Sequence, residues 1–361
     1  MSTTSSLQEK LRPEPDYGYR ALAMGFGGAG NDALTHLMDA GVKGIHCVAA
    51  DTDRYHLHIT KAHSKILLDA APGTDGGTRG NVDVGKQAAM GALPRIKSAV
   101  DGVDLVFILA GMGGGTGGGA APVAAELARE SGALVVGLVT KPFFPERVDL
   151  AVDSLRALLR TCDTVVLVDN HGAGAASHAL PFPFDLDTAG QTTCSLVSSI
   201  TRSFHNPSSL SSDISDLREM LRQGGLAKAG VSDWCSCGGV EEAALTAIRD
   251  IVPHCDLAKV DGVFLGILGD GGLHESDLAP TLELVSRRIN PDADFLYAHH
   301  VEHDGLGLTR ISLLATGVSF PYTWGGYRRV PAEIFEMEPE SGNDDRLSIK
   351  LEMPQLEALL D

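Results

Sequence analysis

Gly111-Met-Gly-Gly-Gly-Thr-Gly-Gly-Gly119 is the stretch whose setting decides the fold. Before it runs Asp104 to Ala110, where Leu105, Val106, Phe107, Ile108 and Leu109 form an unbroken apolar segment, the pattern of a strand buried on both faces of a parallel sheet. After it comes Ala120-Ala-Pro122, and a helix is predicted over Pro122 to Ser131, with the proline in its first turn. A flexible linker does not sit tightly between a core strand and a helix. A phosphate cradle does: glycines let an anion approach backbone N–H groups closely at a helix N-terminus.

Gly25-Phe-Gly-Gly-Ala-Gly-Asn31 has the same setting. A short strand, Tyr19 to Met24, leads in, and a helical pattern through Ala33, Leu34, Leu37 and Met38 leads out to Asp39. With Asp51 and Asp53 at the end of the next strand, Gly25-x-Gly27-x-x-Gly30 also fits a dinucleotide fingerprint, so an NAD-binding oxidoreductase stays open on this loop alone. Gly80-Asn-Val-Asp-Val-Gly-Lys86 imitates a Walker A loop, but Gln87 stands where the magnesium-binding hydroxyl is needed, and no strong strand leads into it. Two glycine loops on one sheet edge imply one polyphosphate gripped from two sides, whereas an NAD domain needs only one.

Around these loops, strands are predicted at Gly44 to Ala50, Ile66 to Leu68, Ala133 to Val139 and Thr164 to Val168, and helices at Val84 to Val100 and Asp149 to Arg160. The alternation predicts an α/β fold with a doubly wound parallel sheet. A long helix is expected over Thr188 to Phe204. The second half reads as a smaller α+β unit: helix 241–252, strand Gly262 to Leu268, helix Glu275 to Ile289, and strands Asp294 to Ala298 and Leu308 to Thr316. The expected organisation is an N-terminal tail (1–18), a nucleotide-binding domain (19–185), a central helix (186–206), a C-terminal domain (207–325) and an acidic tail (326–361) that regains apolar residues from Ser348 to Leu360.

The 361 residues carry a formal net charge of −18 and are 43% hydrophobic. That charge speaks against a nucleic-acid binder, which needs clustered Lys and Arg. No apolar stretch reaches the ~20 residues of a membrane span, and no signal core opens the chain, so a cytoplasmic protein without membrane insertion is expected. The cysteines (Cys47, Cys162, Cys194, Cys235, Cys237 and Cys255) form no CxxC pair and read as reduced, mostly core residues. His299-His-Val-Glu-His303 raises a metal reading, but neighbouring strand residues face opposite ways, so only His300 and Glu302 could share an ion; a solvated strand end is the default.

These motifs together resemble the FtsZ/tubulin superfamily, FtsZ more closely than tubulin, in a divergent form of archaeal type. Ala110 to Pro122 is similar to the family's phosphate signature, and Gly25 to Asn31, Ala50-Asp-Thr-Asp53 and Gly77-Thr-Arg-Gly-Asn81 to its other phosphate loops. Val139-Thr-Lys-Pro-Phe143 with Glu146 resembles the sugar-binding segment, and Asn170 stands at a nucleoside-contacting position. The resemblance implies binding of GTP or GDP, with Mg²⁺ accompanying the nucleotide. The residues it implies are Gly27, Gly28, Ala29, Asn31, Asp51, Gly80, Asn81, Gly111, Gly113, Gly114, Gly115, Thr116, Gly117, Glu146 and Asn170. It covers about residues 20 to 320.

The resemblance also implies GTP hydrolysis completed by a neighbouring subunit in a head-to-tail homopolymer of cell-division type. Ser211-Ser-Asp-Ile-Ser-Asp216 matches the family's Asn-x-Asp-x-x-Asp, which makes Asp213 and Asp216 the catalytic candidates. Read as residues alone, Asp213 is also a helix N-cap and Asp216 a first-turn acid. A division or membrane-tether protein is the implied partner of the C-terminal tail. The chain departs from the family at Asp51, Gly118, Ser211 and Gly190-Gln191, the last standing where the family has Asn/Asp-Asp against guanine. These departures keep open a non-polymerising or non-hydrolysing nucleotide-binding regulator of the same fold.

Overall fold

The computed structural model describes residues 19–68, 77–141, 148–168, 188–206, 211–235, 239–269, 273, 275–301, 308–318, 322–324 and 328–330. Glu146, Asn170, Cys237, Glu302, the expected N-terminal tail and, beyond Arg328–Val330, the expected acidic tail lie outside the described residues.

The chain opens on β1 (Ala21–Phe26), α1 (Gly27–Asp39), β2 (Ile45–Asp51), α2 (Arg54–Ile59) and β3 (Ser64–Leu67). Then follow α3 (Val82–Gly91), α4 (Leu93–Val100), β4 (Leu105–Gly111), α5 (Gly115–Glu130), β5 (Leu134–Thr140), α6 (Val148–Thr161) and β6 (Thr164–Val168). The second half holds α7 (Thr188–His205), α8 (Ile214–Arg222), β7 (Gly225–Cys235), α9 (Val240–Ile251), β8 (Gly262–Gly269), α10 (Glu275–Ser286), β9 (Asp294–Val301) and β10 (Leu308–Thr316), with a small hairpin of β11 (Tyr322–Trp324) and β12 (Arg328–Val330).

Among the described residues one ten-stranded sheet runs in the order β3-β2-β1-β4-β5-β6-β7-β10-β8-β9. Strands β1 to β7 are parallel; β10 is antiparallel to both β7 and β8. The second half therefore continues the first half's sheet. The joint is β7, which pairs with β6 on one side and β10 on the other. Sequence reasoning passes over β7 because its eleven residues, Gly-Leu-Ala-Lys-Ala-Gly-Val-Ser-Asp-Trp-Cys, show no long apolar run. Lys228 is nevertheless buried within it.

The inner strands are apolar on both faces because both faces are covered. In β1, Leu22, Met24 and Phe26 pack into one core cluster, while Ala21 and Ala23 pack into the other. Helices α3, α4, α5, α6 and α9 cover the first; α1, α7 and α8 cover the second.

Helix α7 runs along the sheet on a face that mixes Leu196, Val197, Ile200 and Phe204 with buried hydroxyls. Ser199 Oγ lies 2.7 Å from Ser312 Oγ, and Ser203 Oγ lies 3.2 Å from His300 Nε2. A Cβ on Gly266 of β8 would come within 2.6 Å of Ser199 Cβ, so helix and sheet are in close contact. His300 is thus a buried side chain facing α7, only 5% exposed, and not the solvated strand end expected from the sequence. No group of three or more His, Cys, Asp or Glu side chains able to hold a metal occurs among the described residues.

Burial, then the charges of Arg202 and His299, pushes the His300 pKa down from 6.5 to about 4. The unfolded ring takes up a proton below about pH 6.5, whereas the folded ring stays neutral until about pH 4. The unfolded state therefore binds more protons in that window, and stability present above pH 6.5 is lost as pH falls through it. We expect Tm to fall between pH 7 and pH 4.5, and His300→Gln to flatten that slope. An unchanged slope in His300→Gln would show that another group titrates.

Candidate nucleotide site

A cavity of about 430 Å³ opens at the carboxyl ends of β1 and β4. Strand order reverses there, between a half that runs outward to β3 and a half that runs outward to β6. This crevice is where open α/β sheets bind ligands. Gly27, Gly28, Ala29, Gly80, Gly111, Gly113, Gly114, Gly115, Thr116 and Gly117, all implicated by the sequence, line it.

The helix after the decisive glycine run starts earlier than predicted. It begins at Gly115, so Gly115 to Gly119 are its first residues and Pro122 lies inside it. The structure therefore divides the glycines by role. A Cβ on Gly119 would lie 2.1 Å from the Val82 carbonyl oxygen, and one on Gly117 would lie 2.6 Å from that of Gly111. Gly118 faces Ser154, whose Oγ would be 2.3 Å from a Cβ there. These positions are glycine so that α5 can pack against α3, β4 and α6. Around Gly28, Gly80 and Gly114 there is nothing within 4 Å of a Cβ, so their backbone borders open cavity.

Two helices point their N-termini into this space. Neither α1, capped by Phe26, nor α5, capped by Gly114, has a side-chain cap or a first-turn acid. By contrast, Asp53 caps α2 and Asn81 caps α3. Uncapped N–H groups and two positive dipole ends make a receptor for a polyanion. The loop at Gly77, Arg79 and Gly80 turns tightly, with φ of 83°, 52° and 83°. Arg79 is exposed beside the cavity.

Other sequence candidates stand behind the site. Asn81 Oδ1 accepts from Asp83 N at 2.9 Å and from Val84 N at 3.2 Å, so it is committed to capping α3. Asn31 is buried and donates to Asp51 Oδ2 at 3.0 Å, tying α1 to β2. Burial raises the Asp51 pKa, against hydrogen bonds from Asp53 and Asn31 and the proximity of His56. His56 lies between two acids, its Nδ1 3.3 Å from Asp51 and its Nε2 3.3 Å from Asp32. Thr52 and Thr116 bring their hydroxyls within 2.8 Å, linking the second phosphate loop to α5. The sequence reading missed Asp32, His36 and Thr193 among the lining residues, and quoted Thr78 only as part of the Gly77 to Asn81 loop. The helical period offered a signal for all three: Asp32 and His36 are four apart on α1, and Thr193 is three beyond Gly190 on α7.

Asp213 and Asp216 are not in this cavity. Helix α7 starts at its wall, where Ala189, Gly190 and Thr193 line it. Its 18 residues carry the chain roughly 27 Å away at about 1.5 Å per residue. At the far end His205 Nε2 lies 3.1 Å from the Tyr19 carbonyl oxygen, just before β1 begins. Asp213 then stands exposed at the N-cap of α8. Asp216 Oδ2 accepts from Asp213 N at 3.2 Å and from the Ser212 hydroxyl. Ser211 is pinned to β9, donating its N–H to the Tyr297 carbonyl at 2.8 Å and accepting from Tyr297 N at 3.0 Å.

The family model of the Tubulin/FtsZ family, GTPase domain, matches residues 20–175. Cell division protein FtsZ 1 of Thermococcus kodakarensis is 33% identical over 361 residues, spanning 98% of this chain and 94% of that protein. The chain belongs to the tubulin/FtsZ family. The solved FtsZ dimer of Methanocaldococcus jannaschii matches with a TM-score of 0.74 at 29% identity, over 88% of this chain and 92% of that one. CetZ2 from Haloferax volcanii, solved as a GTPγS-bound protofilament, shares the fold with a TM-score of 0.64 at 20% identity, over 83% and 93% of the two chains.

The two glycine roles separate experimentally in this FtsZ relative. Gly119→Ala forces a Cβ onto the Val82 carbonyl and should cost about 3 kcal/mol in urea denaturation. Gly114 has extended backbone, with φ −111° and ψ 151°, and open space beside it. Gly114→Val should shift stability by less than about 0.5 kcal/mol while abolishing binding of a fluorescent GTP analogue. Equal stability losses in both variants would contradict the division.

Proposed function

We propose that this protein is a filament-forming GTPase of the cell-division type, whose hydrolytic site is completed by the next copy of the same chain. The observation that carries the reading is the separation of cavity and acids along α7. A nucleotide held on the N-termini of α1 and α5 is out of reach of Asp213 in its own subunit. A second copy docking its α8 end onto the cavity would supply the carboxylate. Such a contact joins two different surfaces, so it repeats and builds a filament. The M. jannaschii FtsZ dimer and the CetZ2 protofilament, both of this fold, support self-association.

In the completed site the backbone amides of the glycine loops hold the phosphates, and Mg²⁺ enters as part of the nucleotide substrate. Lys141, in the cavity wall, adds a cation. Asp213 orients and polarises the attacking water against the γ-phosphate. Asp216 holds the first turn of α8, and with it Asp213, in place through its hydrogen bond to Asp213 N. The acidic C-terminal tail serves as a tether for a division or membrane-associated partner.

The second reading, a nucleotide-binding regulator that does not hydrolyse, is favoured by one observation: Ser211 and Asp216 are both engaged in local hydrogen bonds. A mixing experiment separates the two. GTP hydrolysis should rise more than linearly with protein concentration. Asp213→Ala should lower turnover about 100-fold or more with GTP affinity intact. Mixing Asp213→Ala subunits, which bind GTP, with Gly114→Val subunits, which keep Asp213, should restore activity. Activity proportional to concentration, and no restoration on mixing, would overturn completion of the site by a neighbouring copy; GTP binding with no hydrolysis at any concentration would leave the regulator as the correct reading.

A further inference from the structure

The end of the cavity opposite the phosphate loops is built from α1 and the first turn of α7. Ala33 and His36 come from α1, and Ala189, Gly190 and Thr193 from α7. A nucleotide anchored by its phosphates near Gly28 and Gly114 would extend toward this wall and set its base against it. The inference rests on the nucleotide-site reading above.

Gly190 and His36 share one volume. A Cβ built on Gly190 would lie 1.8 Å from His36 Nδ1, 2.6 Å from Cε1 and 3.0 Å from Cγ. Any side chain at position 190 would have to displace the ring. The imidazole is therefore the group that α7's missing side chain leaves at the wall. Its Nδ1 is buried without a hydrogen-bond partner and is turned onto Gly190. That leaves Nε2 for a ligand.

We propose that His36 reads the nucleotide base, and reads it through a single hydrogen bond, so that the site accepts 6-oxopurine triphosphates without sensing the 2-amino group. A carboxylate at position 190 would accept from guanine N1–H and the 2-amino group together, one oxygen to each. One imidazole nitrogen makes one hydrogen bond, as donor or acceptor according to tautomer. The purine 2-amino group is then left without an acceptor from position 190 or 36. GTP and ITP, which differ only in that group, become near-equivalent ligands.

The test is calorimetric titration of the full-length protein, with Mg²⁺, in four forms: wild type, His36→Ala, Gly190→Asp and His36→Ala/Gly190→Asp. Wild type should bind GTP and ITP within about threefold of each other, the 2-amino group contributing no hydrogen bond. His36→Ala should weaken both alike. Gly190→Asp alone should also weaken both, because its side chain meets the ring. The double variant has room for the carboxylate and should gain a preference for GTP over ITP of about tenfold or more. Inorganic tripolyphosphate, which never reaches the wall, should bind all four forms equally. A wild-type preference for GTP of about 30-fold or more, or a double variant that gains none, overturns the assignment while leaving the nucleotide site standing. Loss of tripolyphosphate binding in the variants would overturn it too, since His36 would then shape the whole cavity. A wild type that binds neither triphosphate removes the nucleotide-site reading itself.

Discussion

The structure depends on backbone meeting backbone at the seam between α1, α3, β4 and α5. A Cβ on Gly30 would lie 2.2 Å from the Leu109 carbonyl oxygen, one on Gly85 2.1 Å from that of Gly115, and one on Gly119 2.1 Å from that of Val82. No side chain fits at these points. Because none is there, α1 and α5 begin close enough to share one cavity; Gly27 already approaches Gly117 N to 3.2 Å by the same measure. One methyl group in the seam would spread the helices and separate the two sets of N–H donors. The glycines that make the fold possible are thus chain neighbours of the glycines that border the ligand space, and the two functions share one short stretch of sequence.

The seam also answers an electrostatic difficulty. The chain carries a net charge of −18, and Asp32 lies in the cavity wall with Asp51 behind it. A polyphosphate gains nothing from that charge at long range. What favours it is local. Two helix N-termini, without acids in their first turns, act within the first turn of each helix, and solvent ions screen the more distant carboxylates over about 10 Å. His56 stands between Asp51 and Asp32, so those two carboxylates do not face each other directly. Affinity here comes from where the amides point, which is why the site tolerates an acidic protein around it.

Much of this was legible in the sequence because each glycine loop follows an apolar strand and opens a helix. The strand before Gly111, the one before Gly25 and the resulting doubly wound sheet follow from that pattern alone. Other features escaped for definable reasons. The start of α5 was set too late, because a run of glycines reads as loop; tertiary packing overrides their poor helix propensity. Strand β7 escaped because its burial comes from its position between β6 and β10, not from its composition. His300 was placed at a wet strand end because nothing in its neighbours in sequence reveals α7 above it. Asn31, Asp51 and Asn81 were grouped with the ligand contacts, since motif spacing shows which residues are near a loop but not which way they face. Their hydrogen bonds give them a bracing role in the loops as well.

Helix α7 gives the two ends of the molecule a fixed relation. A helix packed only through aliphatic side chains can slide by part of a turn at modest cost, since dispersion contacts are non-directional. This one carries directional bonds at two levels, Ser199 to Ser312 on β10 and Ser203 to His300 on β9. Its first turn forms the cavity wall at Gly190, and its last residue, His205, reaches the Tyr19 carbonyl. A displacement along its axis would have to break both hydroxyl contacts in a buried setting, where unpaired polar groups are costly. The helix therefore acts as a rigid spacer between ligand and acids. In the proposed filament, the surface that a neighbouring copy would meet is thereby held in register with the surface this copy would present, and a site divided between two chains would need that constancy at every junction.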